Sequence, residues 1–234
     1  MGELYEACRG LGEAARELNL PYISGNVSLY NESVKTSVPP TPQITGIGIV
    51  TDVRKCITSD FKKQKNLIYL VGKQTEKEMG GSEYYNIMNF NSGAVPKTDI
   101  KLLKSCMNGI LTAIEKKQIV SCHDISEGGL GVCISEMCIG GNLGAEINLS
   151  NVSTNLRSDF KLFSESNTRW VVEVEEAYKK DLEKTLKEYK TPFVNIGEIK
   201  FDKIVIVDSG KKIIEQKISN LRNIWRNAIS DIMG

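Results

Sequence analysis

The sequence contains one histidine, His123, in 234 residues, which excludes a metal site built from several imidazoles. It has no excess of charge. Thirty basic residues stand against 29 acidic ones, for a formal net charge of +1, so nothing electrostatic favours nucleic acid or an anionic membrane. No apolar run approaches the roughly 18–20 residues that a membrane helix needs. The opening residues carry acidic side chains and no uninterrupted apolar stretch, unlike a secretory signal. The sixth residue is Glu6, where a myristoylation motif has Ser or Thr. Six cysteines form no C-x-x-C pair and no zinc-like spacing, so they read as reduced thiols, mostly among apolar neighbours. These features together predict a cytoplasmic protein.

What is present is an ordinary globular composition, 41% hydrophobic and 25% charged, enough for a core of useful size. Leu4, Cys8, Leu11, Ala15 and Leu18 recur at helical spacing, and Asn19 and Pro21 stop that helix. Tyr22–Ser24 reads as a short strand, and the segment from Ile44 to Val53 as a half-buried one. Pro39, Pro40 and Pro42 mark a loop between them. Asp60 to Asn66 is polar and charged and reads as a hinge at a domain boundary. Beyond it lie a buried strand from Leu67 to Gly72 and a short helix capped by Ser82. Helices follow over 99–118, 129–139, 177–189 and 221–232. Strands are expected near His123 and in AEINL, WVVEVE, FVNIGEI and KIVIVDS. The mixture predicts an α/β or α+β sandwich of mixed sheet and helices, with the helices on one sheet face.

Three stretches offer chemistry. In the first, Gly25 permits close backbone approach, Asn26 offers a hard oxygen to magnesium, and Ser28 offers a hydroxyl to a phosphate or ribose. Alternation along an extended chain puts Asn26 and Ser28 on one side, with Asn31 and Glu32 behind. A plain turn or a glycosylation sequon fits the same letters, although four N-x-S matches in one chain without a secretory signal weaken the latter. In the second stretch, SCHDISEGGL, a strand gives way to a helix through Ser126, Glu127, Gly128 and Gly129. Free backbone N–H groups and glycines there suit an anion, or Asp124 or Ser126 simply caps the helix. The third, LFSESNTRWVVEV, places Glu165, Ser166 and Arg169 before a buried strand. Arg169 can clamp a phosphate or pair with a glutamate. His123 has no nearby nucleophile and makes no triad.

Taken in order, SGNVSLYNE, PPTPQITGIG, LVGKQTEKEMGGSEYY, HDISEGGLGVCISEM and LFSESNTRWVVEV resemble the last third of the synthetase subunit of phosphoribosylformylglycinamidine synthases. The resemblance implies a remnant of an aminoimidazole-ribonucleotide-synthetase-like N-domain at 1–60, a complete C-domain at 66–208, and a C-terminal strand and helix at 209–234. It implies ATP and Mg2+ as cofactors, with Gly25 at ATP, Asn26 at magnesium and Ser28 at the ribonucleotide substrate. Ser126, Gly128, Gly129, Glu165, Ser166 and Arg169 would line a phosphate or structural nucleotide pocket. No catalytic residue of the family carries over, so turnover requires the missing half or a split subunit. A glutaminase and a small bridging subunit are the other implied partners. The alternative is a non-catalytic nucleotide-binding or assembly module. A truncated N-domain also predicts an open sheet edge and a homo-oligomer.

Overall fold

The computed structural model describes residues 2–28, 32, 34–37, 41–153 and 155–234. The chain divides into two compact units, 1–53 and 54–234. Among the described residues of the first, the regular element is helix α1 (Gly2–Leu18). None of its residues is buried, including the Leu4, Leu11 and Leu18 stripe. Tyr22–Ser24 and 44–53 belong to no strand, which corrects the two strands expected there. A strand needs an edge to pair with, and alternation of apolar residues supplies none. Asn31, Pro39 and Pro40 lie outside the described residues.

The second unit is a seven-stranded sheet with helices on both faces, not on one as expected, because an inner strand is apolar on both sides and each side needs cover. Its strands are β1 (Leu67–Gly72), β2 (Ser121–Asp124), β3 (Gly144–Asn148), β4 (Arg169–Val174), β5 (Phe193–Lys200), β6 (Lys203–Asp208) and β7 (Lys211–Lys217). Their order is β2-β4-β1-β5-β3-β6-β7. The β3–β6 pair is parallel and the others are antiparallel. The helices are α2 (Glu83–Ile87), α3 (Ile100–Glu115), α4 (Gly129–Gly141), α5 (Ser158–Phe163), α6 (Lys179–Glu188) and α7 (Ile218–Met233).

The unbroken apolar run LIYLVG has a direct cause. Successive side chains of a strand point to opposite faces, and β1 is buried on both. Ile68 and Leu70 pack with Val171, Ile147 and Ile196 against Leu130, Ile134 and Met137 of α4. Tyr69 and Val71 pack with Val172 and Val174 against Ile110 and Ala113 of α3 and Leu182 and Leu186 of α6. Asp99 caps α3 by accepting from Leu102 N–H at 3.0 Å, and the Ser82 hydroxyl accepts from Tyr85 N–H at 3.2 Å to cap α2. The sequence reading passed over α5. All six cysteines are free thiols. Cys106, Cys133 and Cys138 are buried, Cys122 half-buried, and Cys8 and Cys56 exposed.

The supposed hinge at 60–66 is clamped to the sheet. Glu173 of β4 is completely buried. Its carboxylate accepts from Lys62 N–H at 2.8 Å, Lys63 N–H at 3.0 Å, Asn66 Nδ2 at 2.7 Å and Ser121 Oγ at 2.9 Å. Phe61 is buried, and its N–H donates to Met137 O at 3.1 Å. A side chain at Gly141 would strike the Phe61 carbonyl oxygen at 2.1 Å. Four donors satisfy the oxygens of this buried side chain.

Candidate functional site

Strand directions gather the second and third stretches at one end of the sheet. β1 and β2 both run antiparallel to β4, so the end of β1, the end of β2 and the start of β4 lie together. The loop after β1 (73–82), the loop after β2 (125–128) and the loop before β4 (164–168) therefore converge. Hydrogen bonds lace them into one body. Ser164 Oγ donates to the carbonyl oxygen of Glu76 at 2.7 Å, and Ser166 Oγ accepts from Glu76 N–H at 3.2 Å. Asn167 Nδ2 donates to Thr98 Oγ1 at 2.8 Å. The rings of Tyr84 and Phe163 stack at 4.8 Å.

The anion position suggested by the glycines is taken by the chain itself. Oε1 of Glu165 accepts from Gly128 N–H at 2.8 Å and from Glu83 N–H at 3.0 Å. Gly128 and Gly129 both adopt positive φ, 77° and 67°. A Cβ on Gly129 would come within 2.7 Å of the Leu162 and Ser164 carbonyl oxygens, so no other residue fits there. Ser126 Oγ donates to Asp124 Oδ2 at 3.1 Å. His123 sits between carboxylates, with Nδ1 3.3 Å from Asp124 and Nε2 3.1 Å from Glu136.

Arg169 does not face outward as a phosphate clamp. Its side chain is fully buried. Nε donates to the Ser166 carbonyl oxygen at 2.7 Å, Nη1 to Thr75 Oγ1 at 2.8 Å, and Nη2 to the Ser164 carbonyl oxygen. Burial pulls this guanidinium down to about 10, partly offset by charges that include Glu78. The cation is spent on shaping the loop that carries Glu165 and Ser166. The adjoining Thr168 pays for that shape. It is β-branched at φ 63°, and its buried hydroxyl has no hydrogen-bond partner.

Sequence reasoning missed two acidic anchors, one at this end of the sheet and one at the opposite end of β4. Glu78 is buried and faces Lys73 Nζ at 3.3 Å and Lys97 N–H at 3.0 Å. Burial pushes its carboxyl up, but hydrogen bonds to Ser166, Lys97 and Lys73 hold it below the ordinary value. Glu173 is the other. An acid inside an apolar strand was the available signal for Glu173, while its partners, 52 to 111 residues away, were not readable. Elsewhere Lys161 and Asp208 form a buried pair at 2.8 Å, also unforeseen.

A cavity of about 220 Å³ opens at the end of β1, lined by Gly72, Lys73, Gln74, Pro192 and Phe193. It falls short of the roughly 300–1,000 Å³ of typical ligand pockets. Gly25, Asn26 and Ser28 lie in the first unit and are exposed. The Asn26 amide oxygen is the right kind of donor for magnesium but supplies one ligand of six. No group of three or more His, Cys, Asp or Glu that could hold a metal occurs among the described residues. None of the described helices is long and apolar enough to cross a membrane.

Comparison with known proteins follows this geometry. The family model for the C-terminal domain of AIR synthase related proteins matches residues 63–208. Phosphoribosylformylglycinamidine synthase subunit PurL of Thermococcus sibiricus is 38% identical over 231 residues, covering 98% of this chain and 31% of the relative. PurL of Alkaliphilus metalliredigens is 36% identical over 229 residues, covering 97% of this chain and 30% of the relative. The chain thus spans about a third of the length of these curated relatives. Among solved structures, T. maritima PurL complexed with FGAR superposes with a TM-score of 0.66 at 16% identity, over 73% of this chain and 30% of that one. The PurLQS structure from Thermotoga maritima gives 0.63 at 18% identity, over 73% and 28%. These likenesses establish the fold. The α+β sheet with its helices, matched from residue 63 to the end of β6, places the chain in the AIR synthase related family, as a counterpart of part of PurL.

Proposed function

We propose that the chain contributes part of an ATP-dependent phosphoribosylformylglycinamidine synthase, a C–N ligase of purine biosynthesis. The observation that carries this reading is the alignment with PurL along 97–98% of the chain. In that reaction ATP activates the formamide oxygen of formylglycinamide ribonucleotide as an iminophosphate. Ammonia from glutamine displaces the phosphate to give the amidine, ADP and phosphate. Catalysis of this kind rests on positioning and charge stabilisation. Gly25 lets the backbone approach ATP, Asn26 gives one oxygen to Mg2+, and Ser28 holds the ribonucleotide. No residue here acts as catalytic base, so the chain is inactive alone. It works with the remaining portion of the synthase, a glutaminase and a small bridging subunit, in the cytoplasm and as an oligomer. The domain proposal is an N-domain remnant at 1–60, a C-domain at 66–208 and a terminal strand and helix at 209–234, although the second compact unit already begins at Arg54. T. maritima PurL has been solved with ATP, which supports the cofactor.

A second reading, a non-catalytic assembly module, draws on the loop cluster at the end of the sheet. There Ser126, Gly128, Gly129, Glu165, Ser166 and Arg169 serve a structural pocket, because Glu165 already occupies the anion position. The test is calorimetric titration of MgATP into the purified chain and its Asn26→Ala variant. Saturable binding that Asn26→Ala abolishes is the expected result. Binding of equal strength in the variant would remove Asn26 from the site.

A further inference from the structure

The turn Gly25–Ser28 belongs to no strand, so no sheet ladder fixes its place. Its chain neighbours do. The last turn of α1 closes with two hydrogen bonds. Leu20 N–H donates to Ala15 O at 2.9 Å, and Asn19 N–H to Arg16 O at 3.3 Å. This paired pattern ends a helix through one left-handed residue. Asn19, at φ 58°, is that residue, and asparagine enters the left-handed region more readily than most side chains. Pro21 follows and cannot continue the helix. The chain therefore leaves α1 at a sharp bend.

Tyr22 shows where the bend leads. Its hydroxyl donates to the carbonyl oxygen of Leu11 at 3.4 Å. Leu11 stands eight residues before Asn19, or about 12 Å back along the helix axis. An interior helix carbonyl already accepts from the amide four residues on, so Tyr22 takes its second lone pair. A second donor needs open access. Helical side chains lean towards the N-terminus and cover the turn before them. The residues one turn beyond Leu11 are Ala14 and Ala15, too small to cover its oxygen. Three residues of chain from Tyr22 to Gly25 reach at most about 11 Å. A tether at Tyr22 thus bounds where the turn can stand.

We propose that Tyr22 is a positioning residue of the nucleotide site, with α1 as its splint. It touches neither ATP nor magnesium. It acts through Gly25, Asn26 and Ser28, holding them in place beside α1. Phosphoryl transfer depends on such placement, and a misplacement of about 1 Å can cost about a hundredfold. The proposal rests on the reading of Gly25–Ser28 as the MgATP turn.

Two measurements on the full chain test it, and the first needs no nucleotide. Proton–proton contacts in NMR between the Tyr22 ring and the Ala14 or Ala15 methyls are expected in the parent. Asn19→Gly, which keeps the left-handed bend, should retain them. Asn19→Val, which disfavours that bend, should lose them. The second measurement is MgATP titration. Tyr22→Phe keeps the ring and loses the donor, so binding should weaken about three- to tenfold. The helix signal in circular dichroism should not change. A parent without the ring–methyl contacts overturns the proposal. So does a Tyr22→Phe variant that binds MgATP as tightly as the parent. A parent that shows the contacts and binds no MgATP fails differently. It sinks the nucleotide reading of the turn, and the positioning role falls with it.

Discussion

The two units spend the same kinds of residue in opposite ways. In 54–234, apolar side chains of both strand faces disappear under α3, α4 and α6, and even charged groups go inside once they have partners. In 1–53, isoleucines that alternate with glycine or threonine remain in water. Local pattern is therefore not what separates a strand from an irregular segment here. The presence of an edge to pair with is, and hydrogen-bonded neighbours supply it to β1 on both sides.

The comparison can be broken most severely at Glu173. Glu173→Ala orphans two backbone N–H groups, Asn66 and Ser121 in the interior. The loss expected in urea unfolding of the second unit is about 3 kcal/mol or more. Glu173→Gln, which keeps the shape but loses the charge, should cost less. If the alanine variant unfolds at the parent midpoint, the clamp contributes nothing.

Acid should sharpen the contrast at intermediate size. Asp208 and Glu78 both titrate below their ordinary values of 3.8 and 4.5. Burial alone would raise both. For Asp208, hydrogen bonds and the charge of Lys161 overturn that, as Ser166, Lys97 and Lys73 do for Glu78. A depressed folded value means stability that is complete above the ordinary value and drains away as pH falls through the folded one. Melting temperature should accordingly hold from neutrality to about pH 5 and fall below about pH 4. Asp208→Asn should flatten part of that fall, and an identical acid profile in the variant would count against the pair.

The smallest effect belongs to the first unit. Ile49→Ser in the chain alone should shift unfolding by less than about 0.5 kcal/mol, as surface changes do. A larger loss would mean that the isoleucine is covered in solution.

How legible this molecule is from its sequence depends on the range of the interaction. The buried run at β1 and the Ser82 cap of α2 could be read because their causes lie within a few residues. α5 is six residues long, too short to show a helical period. β7 carries charge on both faces and lacks alternation, as a guarded edge does. At the candidate site, the meeting of Gly128 with Glu165 was implied by the motifs, but its sense was not. A carboxylate that fills an anion position and one that lines it have the same spelling. The inward turn of Arg169 is equally silent, since two of its three acceptors are backbone carbonyls available to any sequence.

The Glu173 clamp also decides where this chain can be cut. By composition the natural place is the charged stretch after Asp60, and the family match itself begins at residue 63. A piece starting there leaves behind Phe61 and the Lys62 amide, opening a hole beside Gly141 and stripping a buried carboxylate of one donor. A piece starting at Arg54, where the compact second unit begins, carries its own fastening with it. The lysines that look like a flexible tether are thus the rim of the folded body, and the tether ends before them.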